Sequence, residues 1–300
     1  MSTDRKSIAQ IKKEFAEAKE GSLEELFAQY AMDERSGVKA VLNSYRKKQE
    51  KLAKERVRLE EMRSYEHQYE RYGYVCGIDE AGRGPLAGPV VAGAVILPED
   101  CEILWLNDSK QLSEKKREAL YDEIMEKALA VSVGMASPAR IDEINILQAT
   151  YEAMREAIAG LKIRPQVLLN DAVKIPQVEI SQVPIIKGDA KSLSIAAASV
   201  IAKVTRDRLM KDYDKLMPEY GFAKHKGYGS AAHMEAIRKF GSSPIHRQSF
   251  IKNIICVGGT NRSKLFKSAK HEKSHITHNT KENGGINDKR GKHTQNWGKI

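Results

Sequence analysis

Four carboxylates stand at places in this sequence where joint chemistry is possible. Asp79 and Glu80 are adjacent, between the β-rich run YVCGI (74–78) and the glycine-rich stretch Ala81-Gly82-Arg83-Gly84-Pro85. Asp171 follows Val167-Leu168-Leu169, and Asp189 follows VPIIKG (183–188), so each lies where a short apolar run gives out. Successive side chains on a strand point to opposite faces. For Asp79 and Glu80 to serve one site, the strand must therefore end at them and the chain begin to turn, as Gly82, Gly84 and Pro85 favour. Carboxylates gathered at three strand ends repel one another, and such a cluster either keeps protons or recruits a divalent cation. A ligand set of oxygens, without Cys or His, favours Mg²⁺ or Mn²⁺ over zinc. Two such ions can activate a water and stabilise the leaving oxygen of an in-line attack on phosphate. Taken alone, an acidic strand end before a glycine turn is also a common surface feature, and the segment leaves both readings open.

The elements that would carry these acids alternate. YVCGID and PVVAGAVIL read as neighbouring strands around the glycine turn. A loop with NDSKQLS follows, then a helix from Glu114 to about Ala128 with Ser113 as its cap, and a strand over 128–136. Apolar residues at Ile141, Ile144, Leu147, Tyr151, Met154, Ala157 and Ile158 predict one long amphipathic helix over 140–161. QVLLNDAV and VPIIKGD read as two more strands. SLSIAAASVIAKVTRDRLMKDYDKLM reads as a helix of which the Ala- and Ser-rich first half can approach a sheet closely. The order predicts an α/β fold built on a mixed sheet.

Ahead of this domain, residues 1–70 contain no proline and read as helix throughout, with Ser22 placed to cap a helix that starts at Leu23. The stretch from Ser44 to Arg71 mixes charges around a thin apolar stripe at Leu52, Val57 and Leu59, which fits a solvated connecting helix or an arm that touches a polyanion. Residues 257–300 are rich in Gly, Asn, Lys, His, Ser and Thr and predict a disordered tail, in which His271, His275 and His278 share a helical face. The expected organisation is thus a helical extension (1–70), a catalytic domain (71–256) and a basic tail (257–300).

The chain has 300 residues, 41% of them apolar, enough for a sizeable core. Of its net charge of +10, the tail carries +7, against +1 for residues 1–70 and +2 for 71–256, so the basicity by itself says little about the folded part. Cys76, Cys101 and Cys256 form neither a disulfide framework nor a CxxC pair. No secretory signal opens the sequence, and the longest apolar runs fall short of the roughly 18 residues that span a bilayer. The expectation is a reduced, cytoplasmic protein, monomeric and without a membrane partner. GRGPLAG is not the GxxxxGK[ST] phosphate loop, and neither GxGxxG at this turn nor a GxSxG elbow is present.

GIDEAGRGPLAGPVVAGAVIL, NDSKQLS, KGDAKSLSIAAASVIAKVTRDRLM, HKGYGSAAH and SPIHRQSF occur in this order between about residues 72 and 250. Together they resemble ribonuclease HII, the prokaryotic type 2 ribonuclease H; type 3 relatives differ at the first motif. The resemblance implies a ribonuclease H-like mixed five-stranded sheet flanked by helices, with an N-terminal helical extension. It implies that Asp79, Glu80, Asp171 and Asp189 are the catalytic acids and hold two Mg²⁺ or Mn²⁺ ions. It further implies that Gly82, Arg83 and Gly84 sense the ribose 2′-OH through their backbone, and that Tyr228 stacks on the sugar at an RNA–DNA junction; both fit what discrimination of RNA from DNA requires. Ser109 and Lys110, with Lys187, Lys191 and Arg206, are candidate phosphate contacts; solvated surface cations are the alternative. Asp207 reads as an ordinary helix acid, and His225, His233 and His246 as structural or nucleic-acid-contacting. Asn170 stands where the family has an apolar residue, which weakens that strand.

The activity implied is endonucleolytic cleavage on the 5′ side of ribonucleotides in RNA–DNA hybrids and in duplex DNA with embedded ribonucleotides, leaving 3′-OH and 5′-phosphate ends. Two rivals come from other classes. A non-catalytic nucleic-acid-binding protein would bind through its basic termini without Asp79 and Glu80, with strong salt dependence and no sugar discrimination. A metal phosphoesterase of small nucleotides would not need the glycine turn or the lysine-bearing loop.

Overall fold

In a computed structural model, residues 5–256 are described; the 257–300 segment, with His271, His275 and His278, lies outside the described residues. Five strands, β1 (Val75–Ala81), β2 (Val90–Ile96), β3 (Ala130–Ala136), β4 (Val167–Asp171) and β5 (Ser181–Ile185), form one mixed sheet in the order β3-β2-β1-β4-β5. β1 pairs antiparallel with β2, and β2 with β3, whereas β4 runs parallel to β1 and β5 parallel to β4. The carboxyl ends of β1, β4 and β5 therefore share one edge, the place where open α/β sheets bind ligands.

Helices cover both faces. On one lies α8 (Leu193–Leu216), with α5 (Glu114–Lys127) packed beside it over Leu120, Ile124, Ala197, Val200 and Ile201. A Cβ at Gly77 of β1 would lie 2.1 Å from the Ser194 backbone, and one at Gly93 of β2 2.5 Å from the Ala198 carbonyl. These two glycines and the small residues of α8 together bring helix and sheet into backbone contact, as its Ala/Ser composition predicts. The other face is covered by α6 (Pro138–Ile144) and α7 (Ile146–Ala159), whose Ala149, Ala153 and Ala157 pack on Cys76, Ile78 and Ala92. The single helix expected over 140–161 is two. Asn145 adopts φ +69°, and its Oδ1 accepts the N–H groups of Leu147 and Gln148 at 3.0 and 3.1 Å, capping α7 afresh while the apolar period continues across the break.

The N-terminal region is helical: α1 (Ile8–Glu17), α2 (Leu23–Tyr30), α3 (Ser36–Met62) and α4 (Ser64–Tyr69). Ile11, Phe15, Phe27, Tyr30, Val38, Val41 and Leu42 build a small core of their own. Ser22 does not cap α2 with its side chain; it sits in a 3₁₀ turn and its hydroxyl donates to the Lys19 carbonyl at 2.9 Å. Val57 of the expected apolar stripe is exposed, whereas Leu59 and Met62 join the main core beside α5. Asn170 is fully buried in β4 and tied to β5 through Nδ2 donating to Gln182 Oε1 at 2.9 Å, while its Oδ1 has no partner. No helix among the described residues is long and apolar enough to cross a membrane.

Candidate active site

The shared edge of β1, β4 and β5 carries the acids. The paired register of β1 and β4 ends at Ile78 opposite Asn170, and the next residue on each strand is Asp79 and Asp171. β1 continues through Ala81, pairing Asp79 with Gly93 and Glu80 with Ala92. The strand thus does not end at the acid pair, contrary to the expectation. Asp79, 4% exposed, lies on the α8 side, where the Ser199 hydroxyl bonds it. Ser199 Oγ is in turn 2.8 Å from Ser109 Oγ. Glu80 lies with Gly82, Arg83, Gly84, Ser109, Lys110, Lys203 and Tyr228 around a cavity of about 200 Å³. A larger cavity of about 600 Å³, between α4 and the start of β1, contains none of these residues.

Asp189 occupies a 3₁₀ turn, Gly188–Ala190, between β5 and α8. The N–H of Gly188 donates to Asp171 Oδ1 at 2.8 Å, so the turn that carries the fourth acid also orients the third. Burial pushes the Asp79 carboxyl well above the usual range, and the charges of Glu80 and Asp171 add to it. Glu80 is raised by burial and by Asp171, against the pull of Arg83 and Lys110. Asp189 is raised by burial and then by Asp108 and Asp171. Burial works against the charge of Lys110, but Asp108, Asp79, Asp189 and Asp171 outweigh it and hold its pKa above the ordinary value. The four acids thus act on one another and on a single lysine, and remain short of positive charge.

A hard divalent cation fits this donor set chemically, because it would neutralise carboxylates whose negative charges oppose one another. Among the described residues, no three His, Cys, Asp or Glu side chains converge closely enough to enclose an ion as they stand. Asp79 and Asp171 are engaged by N–H groups instead, at 2.7 Å from Glu80 and 2.8 Å from Gly188.

The glycine turn is held from behind. Gly82 adopts φ +94°, and a Cβ there would lie 2.1 Å from Nε of Arg206. Arg206, fully buried, donates to the carbonyls of Pro89, Ala87 and Lys226 at 2.9, 3.0 and 2.9 Å. Arg247, also fully buried, donates to Arg83 at 2.7 Å, to Gly82 at 2.5 Å and twice to Gly88. Two guanidiniums therefore fix the backbone of 82–89 with charge-assisted bonds, leaving the turn's outer surface free. Arg206 is thereby removed from the candidate phosphate contacts, because its donors are spent on the fold. Lys187 and Lys191 are exposed beside the Asp189 turn but do not line the cavity.

Tyr228 stands across the cavity, 45% exposed, with the Arg206 guanidinium 5.9 Å from its ring centre. Its loop rests on three histidines. The rings of His225 and His233 stack at 4.3 Å, His233 Nδ1 contacts the Tyr228 carbonyl at 2.9 Å, and His233 Nε2 lies 3.0 Å from His246 Nε2. Burial pushes the His246 imidazole down to about 4, and lowers His233 as well. His233 and His246 are thereby held neutral, and the three rings together serve as a scaffold for the loop. Asp207 is no ordinary helix acid either: it is buried, and Lys203 Nζ bonds both its oxygens at 2.6 and 2.8 Å. Lys203, in the cavity wall, is a residue that the sequence reading missed; KVTRD carries it in plain view, but nothing there shows which way the helix faces.

The family described as Ribonuclease HII matches residues 76–253, and the Ribonuclease HII N-terminal domain matches residues 7–70. The chain is 64% identical over 247 residues to "Ribonuclease HII" of Lachnoclostridium phytofermentans, covering 82% of this chain and 97% of that one. It is 50% identical over 252 residues to "Ribonuclease HII" of Clostridioides difficile, covering 83% and 99%. Among solved structures, ribonuclease H2 of Pyrococcus horikoshii superposes with a TM-score of 0.53 at 30% identity, over 63% of this chain and all of that one.

Proposed function

The chain belongs to the ribonuclease HII family, and on that footing we propose that the carboxylate edge of its sheet is the active site of a divalent-metal-dependent endonuclease. The enzyme is a type 2 ribonuclease H, a phosphodiester hydrolase. Its substrates are RNA–DNA hybrids and duplex DNA with embedded ribonucleotides, cut on the 5′ side of the ribonucleotide to leave 3′-OH and 5′-phosphate ends.

Asp79, Glu80, Asp171 and Asp189 hold the metal, Mg²⁺ or Mn²⁺. Bound there, such ions supply an activated water and stabilisation of the departing oxygen. The rest of the site belongs to the chain. Asp79 is held in place by Ser199 and, through it, by Ser109. Lys110 faces the cavity as a cation for the phosphates beside the cut, and Lys203, in the wall, is paired with Asp207. The outward backbone of Gly82, Arg83 and Gly84 meets the ribose, where a hydrogen bond to the 2′-OH separates RNA from DNA. The exposed ring of Tyr228 supports the neighbouring sugar. The helical region 1–70 acts as an arm for the duplex, and the enzyme works as a cytoplasmic monomer.

A single observation carries this reading. Four mutually repelling carboxylates, too many for Lys110 to balance, lie beside a glycine turn that two buried arginines hold open. The test is cleavage of a DNA duplex containing one ribonucleotide, with Mg²⁺ or Mn²⁺, beside an all-DNA duplex and an Asp79→Asn variant. The expected result is one cut, 5′ of the ribose, absent from both controls. Binding without a cut in either metal would overturn the proposal and leave a non-catalytic nucleic-acid-binding protein.

A further inference from the structure

We propose that Glu66, on α4 of the N-terminal helical region, is a positioning residue for the two distal carboxylates, Asp171 and Asp189. The inference rests on the catalytic reading above and extends it to a residue remote from the cavity.

Glu66 Oε1 accepts three hydrogen bonds at the start of α8: from the Ser192 hydroxyl at 2.6 Å, the Ser194 N–H at 2.8 Å and the Ser194 hydroxyl at 2.6 Å. Both serines are buried, and Oε2 of Glu66 is buried with no partner at all. The carboxylate is therefore committed to one end of one helix, where the positive end of the helix dipole favours it.

What it holds there is the turn of the site. Ser192 N–H donates to the Gly188 carbonyl at 2.8 Å, and Lys191 N–H to the same oxygen at 2.9 Å. The N–H of Gly188 in turn donates to Asp171 Oδ1 at 2.8 Å, and Asp189 is the next residue. The turn is entered through Lys187 at φ +57°, a left-handed conformation that persists in a residue with a side chain only when its surroundings hold it. A continuous line of bonds thus runs from Glu66 through Ser192 and Gly188 to Asp171, and Asp189 rides on it. Losing the acceptor frees the start of α8 and loosens both acids at once, while Asp79 and Glu80, fixed in β1, stay in place.

A plain docking contact between the helical region and the sheet would act differently: its loss would lower the melting temperature or weaken duplex binding and leave the metal site alone. The experiment uses the full chain with Glu66→Ala and Glu66→Gln, measuring Mn²⁺ affinity by calorimetry without substrate, kcat and KM on the ribonucleotide-containing duplex, and the melting curve. Glu66→Ala is expected to weaken Mn²⁺ binding about tenfold or more, as loss of a group that orients ligands typically does, and to lower kcat with KM for the duplex little changed. Glu66→Gln keeps an acceptor oxygen toward both serines and is expected to recover most of the affinity. Unchanged Mn²⁺ affinity in Glu66→Ala, with any loss confined to melting or KM, overturns the inference. Should Glu66→Ala not fold, Ser194→Ala removes one of the three donors; weaker Mn²⁺ binding there supports the inference and unchanged binding overturns it. If the unaltered chain binds no Mn²⁺ and cuts nothing, the catalytic reading fails first.

Discussion

Two clusters of titratable side chains, the acids at the sheet edge and the histidines behind Tyr228, are opposites. At the ends of β1, β4 and β5, Asp79, Glu80 and Asp189 are raised in pKa by burial and by neighbouring carboxylates, with too little positive charge to balance them. The histidines behind Tyr228 are also buried and crowded, but their ring nitrogens meet Tyr220, Gly227, Tyr228, Ser243 and one another. Burial drives Asp79, Glu80 and Asp189 in the one, and His233 and His246 in the other, toward the uncharged form. For histidine that form is satisfied by the neighbours on hand; for a set of four carboxylates it requires protons or a cation. A cluster of ionisable groups therefore signals chemistry when its charge is unmet, and scaffolding when its hydrogen bonds are complete.

The sharpest way to separate the two is Asp79→Asn. Cleavage is expected to fall by about a thousandfold or more, equivalent to about 4 kcal/mol of transition-state stabilisation, while the metal-free protein melts at a higher temperature because a buried charge is gone. A melting temperature that falls would mean that the acid cluster is not under charge strain. On the other side, His246→Ala removes the partner of His233 and of Ser243 and leaves a hole beside Phe222 and Tyr220. The expected cost is about 3 kcal/mol of stability, read by urea unfolding, with the residual folded enzyme still cutting.

Acid should act on the two clusters with opposite sign. A histidine depressed to about 4 in the fold binds its proton in the unfolded chain first, so stability is intact above about 6.5 and lost as the pH falls from there toward 4. That limb amounts to about 3 kcal/mol for His246. Acids raised in the fold do the reverse: the folded chain holds protons that the unfolded chain has released, so stability falls as the pH rises from the ordinary carboxylate range through their raised values. Thermal melts of metal-free protein are thus expected to peak on the acid side of neutrality, and Mg²⁺ is expected to flatten the loss on the alkaline limb only. The smallest effect tests the surface between the clusters. Tyr228→Ala should cost about 1–2 kcal/mol in kcat/KM on the ribonucleotide duplex, and Tyr228→Phe, which keeps the ring, less than about twofold.

The sequence exposes these features unequally. Asp79, Glu80, Asp171 and Asp189 are legible because each follows an apolar run, and the parallel pairing of β1, β4 and β5 then brings those run ends to one edge. Tyr228 and the Gly82–Gly84 turn are legible only through their motifs. Arg206 and Arg247 are not legible at all in the role they play. Their partners are backbone carbonyls 117 to 165 residues earlier for Pro89, Ala87, Arg83, Gly82 and Gly88, and a carbonyl has no residue type to advertise it. The break at Asn145 is hidden for another reason. The apolar spacing of α6 carries into α7 almost in phase, so periodicity reports one helix while a single left-handed residue makes two. Glu66 looks like any acid of a charged helix until α8 is laid against it.

Ser199, Lys203, Arg206 and Met210 are spaced four, three and four along α8, one stripe down a single rod. That stripe meets, in turn, Asp79, the cavity wall, the back of the glycine turn and the core beneath Ala87. The helix is a ruler whose graduations are side chains, and the distance from Asp79 to the glycine turn is read off it at about 1.5 Å per residue. An alanine inserted after Ile201 would turn every graduation beyond it by about 100°, leaving each residue of the site present and none of the later ones at its mark.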